Sequence, residues 1–554
     1  MNQTCDVPVL IVGAGPVGAT LANLLGVYGV GALLIDRSPA ILEYPRAVGL
    51  DDEAMRTFQA AGVADAMLKD MIQNVPMRMY GAKKQCFAEI LPATREFGWY
   101  RRNLFSQPLG EQALRAGLAR FPHVAVELGV ELTAVEQDAA GVTATLRDAA
   151  GAERTVRAAY LLAADGGRST VREKLLKLPF GGQTHSHKWV VIECDQDPLD
   201  APYTALHCEP ARPYVCLKLP YGLRRWEFML FDGEDEQQVL DPAKVAELLA
   251  PHVPDPARLN VIRARVYTHH SRIAGSFVVG RICLAGDAAH LTPPWIGQGL
   301  NAGLRDACNL AWKAAWIVQG RLKPEALQSY HAERHAHARA MIDLADKFGA
   351  VLSLRNRWLA ALRDAFFTSI RGVPVVRDYV LQMKFKPMPR YRDGVVQDSG
   401  LAARDQRVGR MFIQPLVEPG GGAPVRLDDA LGPGFALLMG APGQPLPAEL
   451  AGRLELLSCR LAVAALPRSG PAPGVLPDVP PGMLLLEDTE NALHRWLAAA
   501  HADWVLLRPD RYVAAAGRRA DMIAALERFV AAFVPQAGAA RAAEARVPSA
   551  LEAA

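Results

Sequence analysis

A charge-free segment near the start of the chain, residues 7–35, restricts the fold more than any other stretch. It is long enough to span a membrane, but six glycines and Pro16 interrupt it. It divides into a short strand (residues 8–12), the sequence GAGPVG, a helix to about residue 29, and a second strand (residues 32–35). No basic segment precedes it, so a signal peptide is not expected. The segment therefore predicts a buried β-α-β unit.

The glycines of GAGPVG and the acid after the second strand match the fingerprint of a dinucleotide-binding fold. Gly13, Gly15 and Gly18 would permit a tight turn and a close approach of the backbone to a pyrophosphate. Asp36 follows Gly18 by 18 residues, where such folds place the acid that binds ribose hydroxyls. We predict an adenine dinucleotide here; a glycine turn in another α/β fold is the alternative. The residues assigned to this site are Gly13, Gly15, Pro16, Gly18, Asp36 and Arg37.

Two later motifs also place glycines and charges at strand ends. Residues 165–172 read DGGRSTVR after a buried strand, which puts two glycines, a serine and two arginines beside a predicted phosphate. Residues 280–320 contain a buried strand, an acid, a proline-stiffened loop, and a long helix that begins with Gly297-Gln298-Gly299. Unpaired amides and a positive dipole at such a helix start favour an electron-rich ligand.

Two further regions complete the predicted architecture. The strand-like period of residues 189–231 and 261–266 predicts an antiparallel sheet, inserted between the cofactor motifs and covering their open face. A substrate cavity is expected between the two. After residue 404, alternating strands (including residues 454–457) and helices predict a small α/β domain. The predicted division is 1–185 and 271–400 for the cofactor domain with a helical segment, 186–270 for the insertion, 405–535 for the C-terminal domain and 536–554 for a disordered tail.

Composition excludes several classes of function. The net charge is +3, from 61 Lys and Arg against 58 Asp and Glu, which is too balanced to suggest nucleic acid. Eight cysteines are scattered without a C-x-x-C pair, so we expect no zinc site or disulfide framework, and a reducing cytoplasm.

His331, His335 and His337 lie at helical spacing, but no H-E-x-x-H pattern accompanies them. A solvated helix face, and no metal site, is predicted there.

The order GAGPVG, DGGRSTVR and GDAAHLTPPWIGQGLN resembles that of the single-component FAD-dependent aromatic hydroxylases. The resemblance covers about residues 7–400 and implies a Rossmann-like FAD-binding domain with an inserted substrate sheet. The C-terminal region resembles the thioredoxin-like domain of the phenol hydroxylase branch, which is not redox-active. Cys459 is its only cysteine, which agrees with that expectation. A homodimer is compatible with the resemblance.

The resemblance assigns roles to individual residues. Gly13, Gly15 and Gly18 would cradle the FAD pyrophosphate, and Asp36 would hold the adenosine ribose. Arg46 and Gln107 match positions that contact the flavin nucleotide, while Asp165 and Gly166 serve FAD and the passing nicotinamide cofactor. Gly286 and Asp287 belong to the ribityl or pyrophosphate end, and Gly299, Leu300 and Asn301 direct amides at the flavin pyrimidine. Pro293, Pro294 and Trp295 are candidates for lining the active site. Trp295-Ile296 stands where many relatives carry a small pair containing glycine.

The family's chemistry implies that NADH or NADPH reduces FAD, that O₂ adds at the flavin C4a, and that the hydroperoxide transfers one oxygen to a phenol. Segments such as FGWYRRN, RPYV and RVYTHH resemble members that hydroxylate 3-(3-hydroxyphenyl)propionate and 3-hydroxycinnamate to catechols. A propionate needs a cation, for which Arg212 is the predicted residue, with Tyr214 beside it. A surface arginine before a proline is the alternative for Arg212.

Two other functions stay open at this stage. The first is a related phenol or polyketide hydroxylase on the same FAD frame. The second is a protein that binds flavin and aromatic ligands without turnover.

Overall fold

The computed structural model describes residues 5–197, 199–255, 259–370, 372–397, 401, 405–442, 445–466, 479–480 and 482–536. The predicted tail, residues 536–554, lies outside these ranges except for Gln536. In the described part of the chain, no helix is both long enough and apolar enough to cross a membrane. The strands are β1 (Val7–Val12), β2 (Ala32–Asp36), β3 (Gly49–Leu50), β4 (Met71–Gln73), β5 (Met77–Tyr80), β6 (Cys86–Ile90), β7 (Asn103–Phe105), β8 (Val124–Leu128), β9 (Glu131–Gln137), β10 (Val142–Arg147), β11 (Glu153–Ala163), β12 (Phe180–Asp195), β13 (Thr204–His207), β14 (Tyr214–Lys218), β15 (Arg224–Met229), β16 (Asn260–Ala274), β17 (Val278–Val279), β18 (Ile282–Leu284), β19 (His290–Leu291), β20 (Leu416–Pro419), β21 (Val425–Arg426), β22 (Ala436–Met439), β23 (Arg460–Ala465), β24 (Leu484–Glu487), β25 (Trp504–Leu507) and β26 (Val513–Gly517). The α-helices are α1 (Pro16–Val27), α2 (Asp52–Ala60), α3 (Ala64–Leu68), α4 (Gln107–Gly117), α5 (Pro242–Leu249), α6 (Gly299–Val318), α7 (Gln328–Leu352), α8 (Arg357–Ile370), α9 (Pro374–Leu381), α10 (Leu427–Leu431), α11 (Ala448–Leu456), α12 (Ala492–Ala499) and α13 (Met522–Phe533).

The first sheet forms around the charge-free β-α-β unit and has the order β17-β18-β11-β1-β2-β8, with β10 and β9 joined to β11. Strand β1 pairs in parallel with β2 and β11, and β11 pairs in parallel with β18. Their carboxyl ends therefore lie at one edge of the sheet, where open α/β sheets bind ligands. Gly13, Asp36, Asp165 and Gly286 each lie at or just after one of these strand ends.

The second sheet has the order β19-β16-β12-β15-β14-β13-β5-β6 and is antiparallel except for the parallel pair β13 and β5. The period of the strands predicts an inserted sheet at residues 186–270, but the observed sheet extends beyond these bounds. β12 begins at Phe180, β16 continues to Ala274, and β5 and β6 come from the part of the chain before the insertion. Strands β5 and β6 have only four and five residues, too few for a clear alternation in the sequence.

The third sheet has the order β21-β20-β24-β23-β22-β25-β26, with parallel pairing from β22 through β24 and antiparallel pairing elsewhere. The predicted strand at residues 454–457 is wrong, because α11 ends at Leu456. Leu450, Leu454 and Leu457 are all buried, and their helical spacing places them on one face. The short apolar run at residues 454–457 is the end of the buried face of α11.

The predicted solvated face of α7 is also wrong. His331 Nδ1 lies 3.2 Å from the amide nitrogen of Phe277, and His335 Nε2 lies 3.2 Å from the carbonyl oxygen of Ala274. His337 is buried, with its ring nitrogens next to Arg334 and the Pro387 carbonyl. The histidines therefore attach the helix to its neighbours.

A buried cluster of ion pairs connects the third sheet to α6 and α7. Arg508 donates from both terminal nitrogens to Glu333 at 2.8 Å, and Lys313 donates to the same carboxylate at 2.8 Å. Asp510 is a second acceptor for Arg508. Burial alone would raise the pKa of Glu333, but Arg508 and Lys313 outweigh it and lower the pKa to about 2. Each buried group therefore stays ionised because of the opposite charges of its partners.

We expect Arg508→Met to destabilise the protein strongly, because it leaves Glu333 and Asp510 buried without their main partner. Removing one partner of a buried pair typically costs about 3–5 kcal/mol. The midpoint of urea denaturation, followed by circular dichroism, measures the change. Arg147→Met is the matched control, since the Arg147–Glu131 pair is exposed, and it should have little effect. Equal midpoints for the two variants would contradict this account of the cluster.

Candidate active site

A cavity of about 360 Å³ is lined by loops of the first sheet, the start of α6 and one face of the second sheet. Most residues with predicted roles lie along it, although they come from distant parts of the chain. Those that line it are Gly15, Pro16, Arg46, Gln107, Gly166, Asp287, Pro294, Trp295, Gly299, Leu300 and Asn301. Pro293 is buried and Arg37 is exposed, and neither is among the residues that line the cavity.

The three glycines of GAGPVG have different physical reasons to be glycine. Gly13 has a φ of +105°, and a Cβ there would lie 2.4 Å from the Ala164 carbonyl oxygen. A Cβ on Gly18 would lie 1.8 Å from the Gly13 carbonyl oxygen, so both positions are required by packing. A Cβ on Gly15 would meet no atom within 4 Å and would enter the cavity. Gly15 therefore leaves space for a ligand, as a dinucleotide requires.

Asp36 and Gln107 support this cradle through the backbone. Asp36 accepts a hydrogen bond from the Ala14 amide at 2.7 Å. Gln107 is buried, and its side-chain oxygen accepts from the amides of Arg46 (2.9 Å) and Ala47 (2.7 Å). Gln107 thus holds the 46–47 segment in place, while the Arg46 side chain is exposed at the cavity wall.

The DGGRSTVR motif is partly structural. Asp165 accepts from the Ser169 hydroxyl at 2.5 Å and from the Val171 amide at 3.1 Å, and burial raises its pKa. Arg172 is fully buried and donates to the carbonyls of Ala288 and Gly167. It is therefore not available to a phosphate, contrary to the prediction from the motif. Gly166 lines the cavity with a φ of +82°.

The start of α6 presents amides to the cavity. The first intrahelical bond runs from the Ala302 amide to the Gln298 carbonyl at 2.9 Å, so the amides of Gly299, Leu300 and Asn301 precede it. The Asn301 side chain accepts from the Asp51 amide at 3.0 Å and donates to the Gly297 carbonyl at 2.7 Å. The Asn301 side chain therefore fixes the loop, and the backbone amides at the start of α6 stay available to a ligand.

Asp287 lies at the same end of the cavity, with its side chain open to the interior. The surrounding protein removes solvent and raises the pKa of the carboxyl, and the charge of Arg46 partly opposes this shift.

Three consecutive acids without a predicted role, Asp51, Asp52 and Glu53, lie at the cavity, and the first two line it. Their oxygens are close enough together to hold a metal ion. Arg305 pairs with Asp51 and Glu53, however, and Lys386 lies 2.8 Å from Asp51. These two cations supply the positive charge that a metal would bring.

Asp51 and Asp52 both line the cavity, but Asp52 has a weaker partner than either of its neighbours. Its nearest cation is Arg101, with Nε 3.5 Å from the carboxylate. Burial, followed by the negative charge of Asp51, raises the pKa of Asp52 to about 7.

Aromatic side chains line the part of the cavity nearest β12 and β16. The Trp295 ring meets Trp189 edge to face at 5.0 Å between centroids, and His269 lies 6.2 Å from Trp295. Burial lowers the pKa of His269 to about 3, so its ring is neutral near pH 7. Trp189 and His269 were missed in the sequence because they lie on strands 80 residues apart and form no local motif.

The structure does not bring Arg212 or Tyr214 to the cavity. Arg212 donates to Glu234 from both terminal nitrogens, at 2.9 and 2.6 Å, and its guanidinium lies over the Phe231 ring. Tyr214 is buried and stacks on His207 at 4.1 Å between centroids. Neither residue is among those that line the cavity. The prediction that they bind substrate is therefore not supported by their positions, because their polar or aromatic groups are engaged elsewhere.

Comparisons with known proteins agree with this geometry. The family described as "FAD binding domain" matches residues 6–345, and the "HcaD C-terminal domain" matches residues 409–532. A 3-(3-hydroxy-phenyl)propionate/3-hydroxycinnamic acid hydroxylase 2 from Burkholderia vietnamiensis is 50% identical, over 95% of this chain and 96% of that protein. A hydroxylase with the same substrate name from Comamonas testosteroni is 42% identical, over 92% of this chain and 94% of its own.

Solved structures are similar over nearly the whole chain. The flavin-dependent monooxygenase PieE, in complex with FAD and substrate, has a TM-score of 0.78 at 22% identity, over 95% of this chain and 98% of its own. Aklavinone-11 hydroxylase, with FAD and aklavinone, has a TM-score of 0.75 at 25% identity, over 96% of this chain and 100% of its own. The chain belongs to the family of FAD-dependent aromatic hydroxylases, and FAD is its cofactor.

We expect Gly15→Ala to reduce FAD binding without unfolding the protein. The added methyl group meets no protein atom, but it occupies the space that Gly15 leaves open toward the cavity. Bound FAD after gel filtration, measured by its visible absorbance, should fall several-fold, while the circular dichroism spectrum stays unchanged. Gly452→Ala is the matched control, because its Cβ also meets nothing within 4 Å and Gly452 lies in α11, away from the cavity. A Gly15→Ala variant with full FAD content would contradict the assignment of this turn.

Asp52→Asn should change how stability depends on pH. Because the pKa of Asp52 is raised in the folded protein, its favourable contribution is full below the unfolded pKa near 4 and is lost as the pH rises through about 7. The melting temperature of the variant relative to the parent should therefore increase between pH 4 and pH 8. A constant difference across this range would show that Asp52 is ionised throughout.

Proposed function

We propose that this enzyme uses NADH or NADPH and O₂ to hydroxylate 3-(3-hydroxyphenyl)propionate and 3-hydroxycinnamate next to the phenol oxygen, which yields the 2,3-dihydroxy product in aromatic-acid catabolism. The observation that carries the proposal is 50% identity, along 95% of this chain, to a relative with that activity in its name. One oxygen atom enters the ring and the other leaves as water, with two electrons from the nicotinamide cofactor. The hydroxylated carbon is one that the phenol oxygen activates by electron donation.

We also propose the domain arrangement that the resemblance implies. The Rossmann-like FAD-binding domain comprises 1–185 and 271–400, interrupted by an insertion at 186–270 that contributes most of the strands from β16 to β13 of the second sheet. A thioredoxin-like domain at 405–535 is supported by the parallel β22–β24 with antiparallel β25 and β26, and by a separate family match at 409–532. The eight scattered cysteines, without a C-x-x-C pair, support a cytoplasmic enzyme. The homodimer stays a prediction.

The cofactor-binding roles follow from the first sheet and α6. Bound FAD supplies the oxygen-transfer chemistry that side chains lack. Gly15 would leave room for the pyrophosphate, and Arg46 would supply positive charge beside it. Asp36, at the end of β2, would supply an acid for the ribose. The amides at Gly299–Asn301 would stabilise negative charge on the isoalloxazine through the helix dipole.

The second sheet provides the walls that exclude water from the reacting ring. Leu206, Val215 and Leu217 form an apolar surface on β13 and β14, and Trp189 and Trp295 extend it across the sheet. A dry cavity prevents loss of the activated oxygen to solvent. Asp52, with its pKa near 7, is the cavity residue best suited to accept a proton from the phenol at neutral pH.

The expected result is that 3-(3-hydroxyphenyl)propionate stimulates NADH or NADPH oxidation, and that each reduced cofactor consumed gives one catechol. Oxygen uptake, cofactor absorbance and product mass measure the three quantities, and catalase detects any hydrogen peroxide. Phenol and a polyketide anthraquinone serve as comparison substrates. A preference for either comparison substrate would indicate the related hydroxylase instead. Ligand binding without oxygen uptake would indicate the protein without turnover.

A further inference from the structure

Arg102 is a cavity-lining cation that the fold leaves without an acidic partner. Its Nε donates to the Val75 carbonyl at 3.0 Å, and one terminal nitrogen lies 3.9 Å from the Met77 sulfur. Among the residues that the structure describes, no carboxylate lies within 4 Å of its guanidinium. Burial alone lowers the pKa of Arg102 to about 10, which indicates a desolvated charge without compensation.

Of the other three cavity cations, two are paired with acids and the third lies at the cofactor end, which makes Arg102 distinctive. Arg101 pairs with Asp52 and donates to the Gln382 carbonyl at 2.9 Å. Lys386 pairs with Asp51. Arg46 has no carboxylate within 4 Å among the described residues, but it lines the cavity together with Gly15 and its charge acts on Asp287 at the cofactor end. Only Arg102, of these four, combines a free charge with a position beside the second sheet.

A second unused polar group lies on the same wall. The Thr204 hydroxyl is buried without a hydrogen-bond partner in the described residues. Thr204 and Arg102 flank one segment, because the Thr204 amide donates to the Pro76 carbonyl at 2.9 Å while Arg102 bonds Val75. Both residues line the cavity. An anion there would accept hydrogen bonds from the charged Arg102 guanidinium and from the neutral Thr204 hydroxyl, whose hydrogen-bonding capacity the fold leaves unused.

The surroundings suit an aromatic acid rather than a phosphate. Leu206 lies on the same strand as Thr204, and Val215 and Leu217 lie on the neighbouring strand, about 4.8 Å away. These apolar side chains line the cavity directly beside the two polar groups. A ring resting on them would place a short carboxylate side chain within reach of Arg102.

We propose that Arg102, assisted by Thr204, binds the carboxylate of the aromatic substrate. The inference rests on the proposed function, whose substrate carries a propionate, and it replaces Arg212 with a residue that lines the cavity. Arg102 thereby acts as a specificity-determining residue that orients the phenol ring across β13 and β14.

The test compares the parent enzyme with Arg102→Met, Arg102→Lys and Thr204→Val on two substrates. These are 3-(3-hydroxyphenyl)propionate and 3-propylphenol, which has the same chain length without the carboxylate. For Arg102→Met, we expect KM for the acid to rise about 10- to 100-fold, since hydrogen bonds to charged groups have that value. KM for 3-propylphenol and the FAD content should stay within about twofold. Arg102→Lys should recover part of the loss, and Thr204→Val should raise KM for the acid about threefold to tenfold.

Calorimetry with the acid, without nicotinamide cofactor, gives Kd values that do not depend on turnover. Failure of the parent enzyme to make a catechol overturns the proposed function, whereas unchanged Kd and KM in Arg102→Met and Arg102→Lys overturn this subsite. Loss of FAD from Arg102→Met and Arg102→Lys, with unaltered affinity for the acid, assigns Arg102 to the cofactor instead. Arg212→Met is measured in parallel. If Arg212→Met raises KM for the acid and Arg102→Met does not, Arg212 is the residue that binds the carboxylate. If Thr204→Val leaves KM and Kd for the acid unchanged, Thr204 does not contribute to the subsite.

Discussion

Parallel pairing of β1 with β2 and β11, and of β11 with β18, is the constraint on which the rest of the site depends. Parallel strands end at the same edge, so four segments separated by up to about 270 residues deliver their following loops to one place. The packing of Gly18 against Gly13 then fixes the first turn. Without that edge, the later motifs would have no common ligand.

A second constraint, made of buried charges, orients α6, whose first turn lines the cavity. Arg305 of α6 pairs with Asp51 and Glu53 at the start of α2, and Lys386 joins them from a distant loop. Asp51 also caps α2 by accepting from the Ala54 amide. Since Asn301 bonds the Asp51 amide, the same cluster positions the first turn of α6. Buried pairs of this kind add little net stability, but each charge permits few alternative arrangements.

Much of the cofactor site could be predicted from the sequence, because its residues form local motifs at strand ends. Gly13, Gly15, Gly18 and Asp36 occupy one β-α-β unit, and their spacing alone indicates a dinucleotide. The substrate wall could not be read in this way. Trp189, Thr204 and His269 lie on separate strands whose register is set by tertiary pairing, and β5 is too short to show a period. Arg212 illustrates the error that follows, since an arginine on a strand gives no sign of Glu234 beside it.

Arg508 and Arg102 show how similar residues can have opposite uses in one chain. Arg508 has two carboxylate partners, so its charge is neutralised within the protein and serves to hold the third sheet against α7. The Arg102 guanidinium contacts a carbonyl oxygen and a sulfur, and its desolvation is not offset by any acid that the structure describes. An uncompensated charge costs free energy in the folded state unless a ligand supplies the opposite charge. The first arrangement fixes how the third sheet packs against α7, and the second favours binding of an anion in the cavity beside the apolar wall.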